Sequence, residues 1–123
     1  MAVTSQDFLD FAREVIKSEG CSEFALRNSC SRAYYAVYHV AKDRADQLNL
    51  PFVAVDNGGD HAKLFARYEA YGHRAKVVAS QLKALKRKRE LCDYKLNESI
   101  DLGYTDQMVT AASRLIEDIS YVV

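Results

Sequence analysis

An arginine and a histidine seven residues apart are the side chains of this sequence best suited to chemistry. They are Arg32 and His39, in the segment SRAYYAVYHVAKDR at residues 31–44. A histidine moves protons near neutral pH, and an arginine guanidinium neutralises the negative charge that develops on a phosphate during cleavage. Together the two residue types suit RNA cleavage without a metal ion. Asp43, four residues after His39, is placed to orient the imidazole.

Helical spacing predicts that Arg32 and His39 lie on one face of the second helix. Residues follow one another at about 100°, and seven residues rise by about 10 Å, so the two side chains point the same way without direct contact. A phosphodiester between them would touch both. Asn28 and Tyr35 fall on the same face, opposite an apolar stripe. An ordinary solvated helix face that carries these residue types is the other interpretation of the pattern.

The fourth helix places an arginine in its predicted core stripe. The stripe consists of Val78, Leu82, Leu85, Arg89, Cys92 and Leu96. A charge in such a position costs free energy unless it is paired, and Asp93, one turn later, is the obvious partner. One interpretation is a buried ion pair of Arg89 and Asp93 that fixes the packing of this helix. The other is that the bundle opens here, so that Arg89, with Tyr94 beside it, lines a cleft next to the polar face of the second helix.

The segment KALKRKRE, residues 83–90, is the one local basic cluster in a chain with 17 basic and 17 acidic residues. It is either a solvated helix surface or a contact surface for an RNA backbone, with Arg87 as a candidate RNA-binding residue. His61 and His73 each follow a glycine near a helix start, and both are predicted to be surface or capping residues. Isolated histidines without clustered carboxylates do not predict a metal site. No cofactor is expected.

The pattern of the whole chain predicts an all-α fold. One Pro and five Gly in 123 residues favour long helices. Apolar spacing and capping residues predict helices at about residues 5–20, 22–48, 60–71 and 73–96, the third capped by Asp60, and a last helix capped by Thr105. Phe11 and Tyr71 are predicted to face the core. Residues 52–55 are predicted to form a loop packed against the helices. We therefore expect a single domain, residues 1–123, folded as an antiparallel up-and-down bundle of four to five helices.

The N-terminal segment has neither a basic region nor an apolar core of the kind found in secretion signals. No apolar run approaches the roughly 20 residues that span a bilayer. We expect a cytoplasmic protein with no membrane contact.

In their order and separation, three segments resemble the HEPN domain family. They are SRAYYAVYHVAKDR, GGDHAKL and LKALKRKRELCDYKL, and the resemblance covers about residues 5–119. It implies a small all-α bundle of the kind found in toxin–antitoxin and phage-defence systems. Many members are metal-independent ribonucleases with an Arg-x4-6-His motif, in which two protomers build one cleft. With six residues between them, Arg32 and His39 match that motif, which implies a homodimer that acts on RNA and has a cognate antitoxin.

The resemblance also implies an alternative function. Ala33 stands where the nuclease members usually carry a polar residue, and the subgroup with an Arg-Ala-Tyr-Tyr helix includes members without demonstrated nuclease chemistry. On this interpretation the chain is a non-catalytic dimerising module that binds a nucleotide or a partner protein such as a nucleotidyltransferase.

Overall fold

The described part of the chain forms a bundle of five α-helices. The structure, a computed structural model, describes residues 2–123. The helices are α1 (Ser5–Lys17), α2 (Glu23–Gln47), α3 (Asp60–Glu69), α4 (His73–Tyr94) and α5 (Leu102–Ser120). No β-strand occurs among the described residues, and the predicted all-α fold class is confirmed. In the same part of the chain, no helix combines the length and the apolar character that a membrane span requires.

Hydrogen bonds at the ends of the helices show their directions. Arg27, near the start of α2, donates to the carbonyl oxygen of Cys92, near the end of α4, over 2.9 Å. Tyr104, near the start of α5, donates to the carbonyl oxygen of Lys88, late in α4, over 3.4 Å. Both α2 and α5 therefore run antiparallel to α4, as the short connections predict. The short helix α3 packs against α2 and α4.

The central element is α2, which packs against all four other helices. Alanines at positions 33, 36, 41 and 45 are fully buried, and their small side chains let the neighbouring helices approach closely. Polar residues of α2 are buried as well, among them Arg27, Ser29 and Ser31. The solvated face of this helix is therefore narrower than its sequence predicts.

Two helix starts differ from the prediction. Asp101 is the N-cap of α5, so this helix begins at Leu102. Thr105, the predicted cap, is instead buried in the first turn, and its hydroxyl donates to the carbonyl oxygen of Leu26 over 3.4 Å. Similarly, α3 begins after Gly59 without a side-chain cap, so Asp60 does not cap it. In both cases a polar residue inside the first turn resembles a cap in sequence.

Three apolar side chains predicted to face the core are exposed. Tyr71 and Leu96 lie beyond the ends of α3 and α4, where helical periodicity no longer determines side-chain direction, and Leu96 is 74% exposed. Phe11 lies at the edge of the buried face of α1, and Leu9, which is 3% exposed, occupies the core.

The connection between α2 and α3 is held by an arginine rather than by its apolar residues. Leu50 is buried, but Phe52 is 82% exposed, so the prediction that residues 52–55 pack against the bundle is wrong. The buried Arg67 donates two hydrogen bonds to the carbonyl oxygen of Leu50 and pairs with Asp46 at 2.9 Å. The ring of Phe52 lies outside this contact, with its centroid 4.2 Å from the guanidinium carbon of Arg67.

Candidate functional site

Arg32 is a half-buried guanidinium without a carboxylate partner among the described residues. Its carbon Cζ lies 5.4 Å from the ring centroid of Phe8 in α1 and 5.3 Å from that of Tyr35. Its one hydrogen bond in this part of the chain runs from Nη2 to the hydroxyl of Ser31 over 3.3 Å, and its Nε is buried without a partner. The two rings hold the guanidinium in place, and its positive charge stays available to an anion.

His39 is exposed and lies against the same phenyl ring. The centroids of its imidazole and of the Phe8 ring are 5.4 Å apart, in an edge-to-face arrangement. Phe8 therefore contacts both Arg32 and His39, and it occupies the space that separates them along α2. An anion that touches both side chains would lie over this ring.

Asp43 shares a groove with His39 but does not bond to it. The groove has a volume of about 310 Å³ and lies between the start of α1 and α2, with Val3, Thr4, Ser5 and Phe8 as its other lining residues. No hydrogen bond or ion pair joins His39 and Asp43 in the described structure. Asp43 thus adds negative charge near the imidazole without fixing its orientation. We refer to Phe8, Arg32, Tyr35, His39 and Asp43 together as the Arg32 surface.

Arg89 of α4 reaches the Arg32 surface through the tyrosines of α2. Its Nη1 lies 3.1 Å from Oδ2 of Asp93, so the two residues form the ion pair that their spacing predicts. Its carbon Cζ also lies 5.3 Å from the ring centroid of Tyr34 and 5.5 Å from that of Tyr35. The ion pair therefore forms beside the second helix. Arg89 is 6% exposed, so the bundle does not open at this residue as the other interpretation requires.

His61 is the residue of this region that the sequence interpretation missed. It is half-buried, and its Nδ1 lies 2.6 Å from the hydroxyl oxygen of Tyr34, so its assignment as a surface or capping residue is wrong. Its ring centroid lies 4.6 Å from that of Tyr38. A histidine that follows two glycines resembles a loop residue, and only the packing of α3 on α2 shows that it faces the tyrosines.

Burial lowers the pKa of His61, and the nearby positive charges of Arg89 and Lys86 lower it further, against the opposing effect of Asp60 and Glu90. Folding therefore favours the neutral imidazole, whereas in the unfolded chain the imidazole has its ordinary pKa of 6.5. Below about pH 6.5 the unfolded state binds more protons than the folded state. The contribution of His61 to the free energy of unfolding is therefore complete above that pH and is lost as the pH falls.

We expect the free energy of unfolding to decrease between about pH 7.5 and about pH 5 more strongly in the wild type than in His61→Asn. Urea unfolding at both pH values measures the difference. Carboxylates titrate in both proteins, so their effect cancels in the comparison. An equal pH dependence in the two proteins would show that His61 keeps its ordinary proton affinity.

The remaining predicted binding residues are Asn28, Arg87 and Tyr94, all of them exposed. Asn28 lies one helical turn before Arg32, and Tyr94 lies beside Arg89 at the end of α4. Arg87 is two residues from Arg89, which places it about 200° away around α4. In the basic cluster, Lys83 pairs with Glu69 and Lys86 with Glu90, so Arg87 and Lys88 are its unpaired members within the described structure.

Within residues 2–123, no group of three or more His, Cys, Asp and Glu side chains is placed to hold a metal ion. No protein-family model matches the sequence, and the comparison with curated proteins gave no match either.

Proposed function

We propose that this chain is a HEPN-like cytoplasmic effector that cleaves RNA without a metal ion, with Arg32 and His39 as its catalytic residues. The supporting observation is that both side chains contact the ring of Phe8. Arg32 Cζ lies 5.4 Å from the ring centroid, and the imidazole centroid lies at the same distance. An unpaired cation and a solvent-accessible histidine thus face one patch of surface where an RNA phosphate would bind.

In this mechanism the 2′-hydroxyl oxygen of a ribose attacks the adjacent phosphorus, and the bond from phosphorus to the 5′-oxygen breaks. One group accepts the proton of the 2′-hydroxyl, and another protonates the departing 5′-oxygen. The guanidinium of Arg32 stabilises the additional negative charge of the pentacoordinate phosphorus. The products are a 2′,3′-cyclic phosphate and a free 5′-hydroxyl.

A homodimer would complete this site. The reaction needs a proton acceptor and a proton donor, and each chain places one exposed histidine on the Arg32 surface, His39. Two chains that join these surfaces supply two histidines and two guanidinium groups around one RNA strand. Such a cleft would also position residues that are two helical turns apart in one chain against a single phosphate.

The proposal is tested with end-labelled RNA and purified protein in the presence of EDTA. We expect the wild type to leave 2′,3′-cyclic phosphate ends, and Arg32→Ala to reduce kcat/KM by about 10²- to 10³-fold. The matched control is Arg114→Ala, which removes an exposed arginine of α5 without a hydrogen bond among the described contacts and should cleave like the wild type. Intact RNA over a broad panel of substrates, or cleavage that EDTA abolishes, would contradict the proposal.

A second candidate is the non-catalytic dimerising module that binds a nucleotide or a partner protein such as a nucleotidyltransferase. The observation in its favour is a set of exposed apolar side chains close to the start of α2 and the end of α4, namely Phe24, Tyr94, Leu96 and Leu102. These elements are adjacent, because Arg27 of α2 bonds to the chain at the end of α4. The RNA assay separates the two functions, since a binding module leaves the RNA intact.

A further inference from the structure

Donor groups from three different helices surround the ring of Tyr35. The guanidinium carbons of Arg32 and Arg89 lie 5.3 Å and 5.5 Å from its centroid, and the ring centroid of His61 lies at 5.9 Å. These residues come from α2, α4 and α3. The hydroxyl of Tyr35 has no hydrogen-bond partner among the described residues. The arrangement gathers N–H and O–H donors around one half-buried ring. The acidic side chains near it are Asp93, which pairs with Arg89, and Asp60 and Glu90, whose charges act on His61.

The contact with Tyr34 determines which nitrogen of His61 carries the proton. Tyr34 is fully buried, and burial raises the pKa of its phenol, so the hydroxyl keeps its proton. This proton has no acceptor among the described residues other than Nδ1 of His61, 2.6 Å away. Since leaving a buried donor unpaired is costly, Tyr34 donates to Nδ1. The neutral imidazole then carries its hydrogen on Nε2, where it is a donor to a ligand.

Arg89 is buried, yet not all of its guanidinium N–H groups have an acceptor. Its side chain is 7% exposed, and Asp93 accepts from Nη1 alone. Nε is buried without a partner, and the hydroxyl of Tyr94 is the other side-chain group close enough to the guanidinium to favour its charged form. Buried polar groups are normally satisfied, and those that are not point to a ligand or to water that the site is built to receive. The stacking on Tyr34 and Tyr35 fixes the guanidinium in advance.

We propose that Arg89, His61 and Tyr35 form a second phosphate-binding subsite next to Arg32. It binds the phosphate next to the one that Arg32 and His39 contact, on the same RNA strand. Arg89 supplies charge and a guanidinium N–H, His61 supplies Nε2–H, and Tyr35 supplies its hydroxyl. Phosphate oxygens accept hydrogen bonds from all three kinds of donor. The assignment of this phosphate to the cleaved strand rests on the proposed function, whereas the subsite itself does not require cleavage.

Two substitutions of His61 separate binding from folding. Asparagine retains an acceptor close to the position of Nδ1 and lacks a donor at Nε2, so His61→Asn keeps the partner of Tyr34 and removes the contact with phosphate. Glutamine has the opposite geometry, so His61→Gln keeps the outer donor and leaves the Tyr34 hydroxyl without its acceptor. His73→Asn is the matched control, because His73 is exposed at the start of α4 and has no hydrogen bond in the described structure.

The probe is a 2′-O-methyl uridine trinucleotide, which cannot be cleaved because its 2′-oxygens are blocked. We expect His61→Asn to weaken its binding by about tenfold or more in calorimetric titration, with an unchanged urea midpoint of unfolding at about pH 7.5. His61→Gln should bind within about threefold of the wild type and should unfold at lower urea, and His73→Asn should match the wild type in both measurements.

Wild-type affinity in His61→Asn, or no binding by the wild type at millimolar trinucleotide, would overturn the subsite. If natural RNA stays intact while the trinucleotide binds and His61→Asn weakens that binding, the nuclease proposal fails and the subsite stands. If natural RNA is cleaved but His61→Asn leaves both kcat and KM unchanged, the subsite is wrong and the nuclease proposal stands.

Discussion

Replacement of His39 by alanine is expected to lower kcat/KM for RNA cleavage by about 10²- to 10⁴-fold, the usual contribution of a proton-transferring side chain. His39 is exposed and makes no hydrogen bond among the described contacts, so its removal should change the free energy of unfolding by no more than about 0.5 kcal/mol. Cleavage kinetics and urea unfolding of the same preparation measure the two quantities. Any toxicity of the protein to growing cells should be lost together with cleavage.

The matched control is His73→Ala, another exposed histidine of the chain, which should leave cleavage unchanged. A second comparison is Asp43→Asn. Asp43 lines the groove without a hydrogen bond to His39, so we expect its amide variant to retain most of the activity. Full cleavage by His39→Ala would remove His39 from the mechanism and would favour the non-catalytic module.

The largest expected effect on stability is that of Arg27→Ala. Arg27 is 7% exposed, and its guanidinium donates to the carbonyl oxygens of Cys92 at 2.9 Å, Lys95 at 3.3 Å and Glu98. These carbonyls lie in the last turn of α4 and just beyond it, where helical donors are missing, and in the described structure only the carbonyl oxygen of Lys95 has a further backbone donor, the amide of Glu98 at 3.1 Å. Oε2 of the exposed Glu23 lies 3.2 Å from Nε of Arg27. We expect a loss of about 2–4 kcal/mol in the free energy of unfolding, measured in urea.

Asn28→Ala is the control for this substitution. Asn28 is the next residue of α2 and is exposed, with no hydrogen bond in the described structure, so its loss should change stability by less than about 0.5 kcal/mol. A small effect of Arg27→Ala would mean that water replaces the guanidinium at the end of α4.

Arg27 shows why charged residues are difficult to interpret from helical periodicity. Its spacing from Cys30 and Tyr34 places it in a buried stripe of α2, but the spacing does not indicate which atoms it would bond. Besides Glu23, four residues earlier, its partners are backbone carbonyls more than 60 positions away in the chain. Arg89 was recognisable because its carboxylate partner lies only four residues later on the same helix.

The sequence alone determined the features that depend on neighbours along the chain. It predicted the five helices to within a few residues, the shared face of Arg32 and His39, and the pairing of Arg89 with Asp93, because each follows from helical geometry and local spacing. Only the tertiary structure decided what surrounds these residues. Packing of α1 on α2 places Phe8 between Arg32 and His39, and packing of α3 on α2 gives His61 its contact with Tyr34. Such contacts join residues tens of positions apart, and they depend on the shapes of packed surfaces, which no periodic pattern encodes.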